Sequence, residues 1–490
     1  MIDSLPDLRL PLRDRAVVLA LLAGALVLLA IVLDVTPLLR GPAPYPPEWR
    51  WDLRAGATSG RFLSAIACGA ALVALLALIA GDRVESRRAR AVLAAAAPLG
   101  LAFQLALLAI EPGGALRTLV QRTMSRTVTS YYSVAVSPMA EDARAFLARH
   151  HELLLEMRHG AKHASTHPPG PVLFYRGLLG LFEARPGLAR WTIETAGMAD
   201  PERRGAERAT ALAGPLLILI ACALTPWPVA ALARAAGMDE AVAARAGVLW
   251  ALLPGPALMS PQFDQALAFV VTLAAAALAL AIRAGGRGVR IAWSAVGGAA
   301  AALAASLSYG AAVFLALAGA AVLAALADRA RARAALTSLA IAALTAAGLL
   351  EIPLLLGHRP WRSMFTALAM HRETFTAPRG YWTWLIFNPL DLALFVGVPV
   401  AVLFAARLID AVRSGPREPL DRFTLAAAAG VLLLALSGTV RGEVGRIWIP
   451  LMPLLLVPAA DRLGSRWRAW AVGALLAVLC VILRVRWELG

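Results

Sequence analysis

Lysine is almost missing from this chain: of its 47 basic side chains one is a lysine, Lys162, and the rest are arginines. Cysteine is nearly as scarce. Cys68, Cys222 and Cys480 lie far apart, each in an apolar stretch, so there is neither a disulfide framework nor a metal-ligand spacing. The alternating segments of a transmembrane β-barrel are absent, as is any repeat of solenoid period. So are the paired interrupted helices in matching halves that mark many secondary transporters. Charged residues make up 16% of the chain and keep out of its apolar runs. The formal net charge of +16 does not signal nucleic acid, because the arginines fall in short loops between those runs. Anionic membrane lipids are the partner such loops meet.

What is abundant is apolar sequence. Hydrophobic residues make up 60% of the chain, the mean hydropathy is +0.69, and runs of about twenty apolar residues recur, each enough for roughly 30 Å of hydrocarbon. The expected fold is all-α: one integral membrane domain over residues 1–490, a polytopic helical bundle of about thirteen spans. The runs lie near 16–33, 63–81, 91–110, 209–231, 245–259, 264–282, 291–308, 311–327, 335–355, 390–408, 422–438, 447–460 and 469–485. Their alanine content suits close helix packing. Arg9, Arg13 and Arg15 precede the first run and place the N-terminus in the cytoplasm. Asp34-Val35-Thr36-Pro37 follows it in place of a small-residue cleavage site, so the run reads as a retained anchor. Arginine parity then puts two excursions outside, residues 111–208 and 356–389. The first carries amphipathic juxtamembrane helices, with Phe146, Leu147, Leu153, Leu154 and Leu155 at helical spacing among charged neighbours.

The most structured polar stretch lies in that first excursion: Lys162-His163-Ala164-Ser165-Thr166-His167-Pro168-Pro169-Gly170-Pro171. The prolines forbid a helix running in from the preceding side, and a new one starts near Pro171. The short apolar run Val172–Phe182, interrupted by Arg176, is read as re-entrant or juxtamembrane rather than as a full span. All seven histidines fall in outside segments. His150, His151 and His159 read as residues of a wet loop. His163 and His167 sit in the rigid corner, where an imidazole can serve a phosphate or a sugar hydroxyl. Lys162 is either a solvated loop lysine or a point charge for phosphate.

Other outside groups could join that chemistry. Glu141 and Asp142 are a possible general base or the acidic cap of the following helix. Asp34 leaves the first run as a cap or a base, and Asp264 opens a run after Ser260-Pro261-Gln262-Phe263. Glu48 and Asp52 could pair with Arg50 and Arg54. Arg441-Gly442-Glu443-Val444-Gly445-Arg446 puts two arginines outside, against the trend, which suits a phosphate clamp as well as an ion pair with a snorkelling arginine.

His167-Pro168-Pro169-Gly170 leading into an apolar helix resembles a motif of the GT-C class of lipid-linked-sugar glycosyltransferases, which includes protein O-mannosyltransferases and aminoarabinose transferases. Arg208 opening a run, Leu232-Ala233-Arg234 at its inner end, Pro261-Gln262-Phe263-Asp264, and Arg446-Ile447-Trp448-Ile449-Pro450-Leu451-Met452-Pro453 are similar too. The resemblance covers roughly residues 91–283 and the region around 441–460 and rests on short motifs. It implies a helical bundle with an outer-face active site, a polyprenyl-phosphate sugar donor, and an acidic base in the first large outer loop. Two features depart from it. The runs within 16–81 precede the family's first span, and Thr129-Ser130-Tyr131-Tyr132 stands where the acidic pair is expected.

The resulting expectation is a membrane glycosyltransferase. Glu141, Asp142 or Asp34 would act as base. Lys162, His163, His167, Arg176, Arg441, Glu443 and Arg446 would line the donor phosphate, and Asp264 would orient the sugar. No cofactor is called for, and the outer carboxylates leave room for a divalent cation without requiring one. The acceptor is unspecified. The competing class is a transporter or lipid flippase, against which the nearly pure aliphatic runs argue, Gln104 and Glu351 being among few exceptions.

Overall fold

A computed structural model describes residues 12–56, 58–81, 84–198 and 204–489; Arg9 and Arg83 lie outside these. The protein is all-helical, and its two strands, Asp52–Leu53 and Trp487–Glu488, pair antiparallel. Among the described residues eight helices are long and apolar enough to cross a membrane, or nine if the pair Tyr381–Phe395 and Val398–Ser414, bent by 111°, is one span. Fewer therefore meet that length than the about thirteen expected from apolar runs. Phe62–Leu78, Ala311–Ala325 and Ile449–Ala460 are shorter apolar helices. The run at 245–259 is divided between Glu240–Trp250 and Pro254–Leu258, because Pro254 and Pro256 interrupt the ladder.

Helix Phe263–Arg283 is the axis of the bundle. Its apolar window is 83% buried, against Gly205–Leu224, Pro226–Ala235, Arg287–Leu307, Ala311–Ala325 and Ala332–Leu355. The last of these is peripheral, with 6% of its window covered. Small residues let backbones meet: a Cβ on Gly298 would stand 2.3 Å from the carbonyl oxygen of Ala342. The two-stranded ribbon brings residues 52–53 and 487–488 to one end of the bundle, so the chain between them passes through it an even number of times.

At that end a buried ionic knot ties four segments. Glu111 accepts from Arg54 at 2.6 and 2.7 Å, Arg122 at 3.2 Å and Arg484 at 3.3 Å. Arg122 also donates to the Ser260 carbonyl at 2.7 Å, and Gln262 donates to Val128 O at 3.2 Å. The turn before helix Phe263–Arg283 is thereby held against the segment 122–128. Glu48, instead of pairing on the surface, is buried and accepts from Trp384 Nε1 at 2.6 Å and Gly380 N at 2.8 Å. This links the segment after the first helix to the loop that follows residue 376.

Candidate functional site

The His-Pro-Pro-Gly corner folds as its sequence requires. Ala164–Thr166 form a 3₁₀ turn, His167 is extended, and helix Gly170–Ala184 begins with Pro171 in its first turn. Gly170 lies against the end of helix Arg287–Leu307 so closely that a Cβ would fall 2.1 Å from the Ser306 carbonyl oxygen. Ser130 Oγ accepts from Ala164 N at 2.9 Å, and His163 Nε2 lies 3.2 Å from Thr127 O.

The hydrogen bonds of the two histidines fix their tautomers. His167 Nδ1 is 2.8 Å from the His163 carbonyl oxygen, which can only accept, so Nδ1 carries the proton and Nε2 keeps its lone pair. In His163 the proton is on Nε2, facing Thr127 O, and Nδ1 is the free acceptor. Burial, with Arg446 next in effect, pushes His163 down to about 4. Burial, then His163, pushes His167 down to about 3. Both rings are neutral at pH 7 and present acceptors. Such acceptors suit hydroxyl hydrogens.

These rings line a cavity of about 330 Å³ between the corner, the start of helix Phe263–Arg283 and the segment 439–448. Asp264, Arg441, Glu443 and Arg446 line it too, so six of the residues singled out from sequence meet there. Arg446 is the central charge. Its Nη2 is 2.7 Å from Glu443, its Nε 4.0 Å from Asp264 and its Nη1 3.4 Å from Gln262 Oε1. Burial would raise the Glu443 carboxyl, but Arg446, His163 and Arg379 together hold it below the usual carboxylate range. Burial lowers Arg446 and is outweighed by Glu443 and Asp264, which keep it firmly charged. Glu443 has φ +57, a left-handed conformation that L side chains seldom adopt; it is held by Arg446 N and Ile447 N donating to its carbonyl, each at 2.9 Å.

The rest of the segment is braced from outside. Asn388 donates to Val440 O at 2.7 Å and accepts from Gly442 N at 3.3 Å. Asp391 accepts from Gly445 N at 2.8 Å and Trp51 Nε1 at 2.9 Å. Arg441 donates to the carbonyls of Arg379 at 2.6 Å, Gly438 at 3.1 Å and Thr376 at 3.2 Å, while Arg379 donates back to Arg441 O. Arg441 thus staples the loop to three backbone carbonyls through Nε and Nη1 while lining the cavity. The lining is mixed: beside the charged groups around Arg446 it includes Leu267, Val313, Phe314, Leu368 and Leu434.

The other expected site residues lie elsewhere. Asp142 caps helix Ala143–Met157, accepting from Arg144 N at 2.8 Å and Ala145 N at 3.1 Å, and Glu141 beside it is exposed. Asp34 pairs with Arg40 at 3.5 Å, Arg176 with Glu183 at 3.6 Å, and Lys162 is exposed. None of these five lines the cavity. Five that do were not assigned a role from sequence: Tyr131, Tyr309, His371, Arg379 and Trp448. Tyr131 occupies the stretch where the family's acidic pair was sought, and its ring packs edge-on against His167, with centroids 5.5 Å apart. His371 and Arg379 belong to the second polar excursion of the sequence, so the clue was that a second polar loop had to go somewhere. Among the described residues no group of three or more His, Cys, Asp or Glu side chains is arranged to hold a metal ion. Comparison with known proteins matches this chain to no family, no curated relative and no solved structure.

Proposed function

We propose that this is a multi-pass membrane glycosyltransferase that moves a sugar from a polyprenyl-phosphate carrier to an acceptor on the outer face of the membrane. The short apolar helices complete a path of about thirteen crossings, with the N-terminus cytoplasmic, arginines on the inner side and the cavity at the outer side. The observation that carries the reading is the mixed lining of the cavity. A paired arginine and two acceptor-presenting histidines share it with a set of aliphatic and aromatic side chains. An amphiphile with a phosphate, a sugar and an isoprenoid chain needs contacts of those kinds.

In this reading Arg446 takes the bridging phosphate and stabilises the charge that builds on it as the glycosidic bond breaks. His163 Nδ1 and His167 Nε2 accept from sugar hydroxyls and orient the ring. The base is a carboxylate of the cavity, since Glu141, Asp142 and Asp34 do not reach it. Membrane lipids surround the apolar faces.

The test is transfer by purified protein from a panel of labelled polyprenyl-phosphate sugars, read both as labelled acceptor and as released polyprenyl phosphate. Arg446→Ala is expected to lower the rate on the order of 10²–10³-fold, and His167→Ala to raise KM and lower kcat. Lipid-linked sugar that crosses a vesicle membrane uncleaved, with no polyprenyl phosphate released, would refute the enzyme and favour a flippase.

A further inference from the structure

An unmet donor and a loosely held carboxylate face each other across the cavity. Arg446 Nε is buried and has no hydrogen-bond partner, although the same guanidinium is well paired through Nη2. Opposite it, Asp264 Oδ2 stands 4.0 Å away, close enough to attract and too far to accept. Among the described residues no side chain donates a hydrogen bond to Asp264, and Arg446 is its ion-pair partner. Glu443 differs: it is fixed at 2.7 Å, on a backbone locked in the left-handed region. One carboxylate is fastened to the arginine and the other is only held near it.

We propose that Asp264 is the catalytic base of the transfer, and that its loose pairing with Arg446 keeps it out of use until the donor's phosphate takes its place. This rests on the glycosyl-transfer reading above. A phosphate oxygen at Nε meets the donor that Asp264 leaves unmet, and by neutralising the guanidinium from that side it removes the pull on Asp264. Asp264 then turns to the acceptor. The acceptor O–H bond breaks and its proton passes to Asp264 Oδ2. The acceptor oxygen forms its bond to the anomeric carbon. The bond from that carbon to the phosphate oxygen breaks, and its electron pair stays on the phosphate, giving polyprenyl phosphate. Asp264 afterwards returns the proton to water. Donor therefore binds before acceptor, and a sugar without its phosphate fails to arm the base.

The experiment compares phosphate binding with turnover in full-length purified protein. The binding probe is a short-chain polyprenyl phosphate without sugar, titrated by calorimetry in micelles. Asp264→Asn removes the competitor and is expected to bind the probe about five-fold tighter, while transfer falls on the order of 10²–10⁴-fold. Asp264→Glu is expected to recover part of that rate. Glu443→Gln also tightens binding but keeps more activity than Asp264→Asn, and its folded yield stands independently if Asp264→Asn fails to fold. Unchanged or weaker probe binding by Asp264→Asn, or a larger activity loss in Glu443→Gln than in Asp264→Asn, overturns the exchange while leaving the donor class intact. Absence of probe binding by the wild type overturns the glycosyl-transfer reading itself, and the exchange with it.

Discussion

Replacing Gly170 by alanine tests whether the corner is built by backbone contact. The added Cβ would lie 2.1 Å from the Ser306 carbonyl oxygen and 2.8 Å from its carbon, both main-chain atoms that cannot rotate away. A carbon–oxygen contact settles at about 3.3 Å or more, so the start of helix Gly170–Ala184 must part from the end of helix Arg287–Leu307 by about 1 Å. Overpacking of this kind costs about 1–3 kcal/mol. His167 is three residues away through two prolines, so the shift is passed on to its ring nearly undiminished. A displacement of about 1 Å at a positioning group lowers rate on the order of 10²-fold. The same helix supplies its own controls: Gly177 and Gly180 have nothing within 4 Å of an added Cβ. Alanine there is expected to stabilise by about 1 kcal/mol through helix propensity. Thermal unfolding in micelles, with transfer assayed in parallel, reads both effects. If Gly170→Ala proves as stable and as active as Gly177→Ala, the close-contact argument is wrong.

Acid is expected to destabilise the protein through its buried histidines. His150, buried and pushed down to about 3, joins His163 at about 4 and His167 at about 3; unfolded, each would take a proton near pH 6.5. Their contribution is complete above pH 6.5 and is lost as pH falls from there toward those values, by roughly 1.4 kcal/mol per pH unit for each ring. A melting temperature flat between pH 6.5 and 5 would contradict this. Glu111→Ala leaves Arg54, Arg122 and Arg484 without their shared anion. Breaking a buried pair costs about 3–5 kcal/mol, and folded yield by size exclusion should fall accordingly.

The helical character of the protein was readable because apolar runs of span length leave the backbone no other way to bond. Each of the apolar runs contains a helix, yet helix ends answered to prolines such as Pro254 and Pro256 more than to hydropathy. At the site, His163, His167 and Asp264 could be found because polar groups at the end of an apolar run need a reason to be there. The partners of a charge could not be found that way. Asp142 Oδ1 takes two amides of its own helix, and Arg441 reaches the nearby Gly438 carbonyl and the distant ones of Thr376 and Arg379. Arg446 meets Asp264 across 182 residues of chain, a pairing that only packing decides. The resemblance pointed toward an acid soon after an early span. The structure has Tyr131 there instead and carries its cavity acids on later segments.

The distance in sequence between the two walls of the cavity has a consequence for the growing chain. His163 and His167 are made early, and Arg446 almost 280 residues later. At roughly 5–20 residues per second the ribosome needs tens of seconds to cover that gap. Until Arg379 is made the histidines and then Asp264 face an opening with no cation in it, and Glu111 has Arg54 and Arg122 but lacks Arg484 until the last helix. The last helix therefore closes the ionic knot within moments of the segment that completes the cavity. A chain stalled short of its final tenth would be largely helical and would lack both the cavity's central charge, Arg446, and the arginine that closes the knot, Arg484.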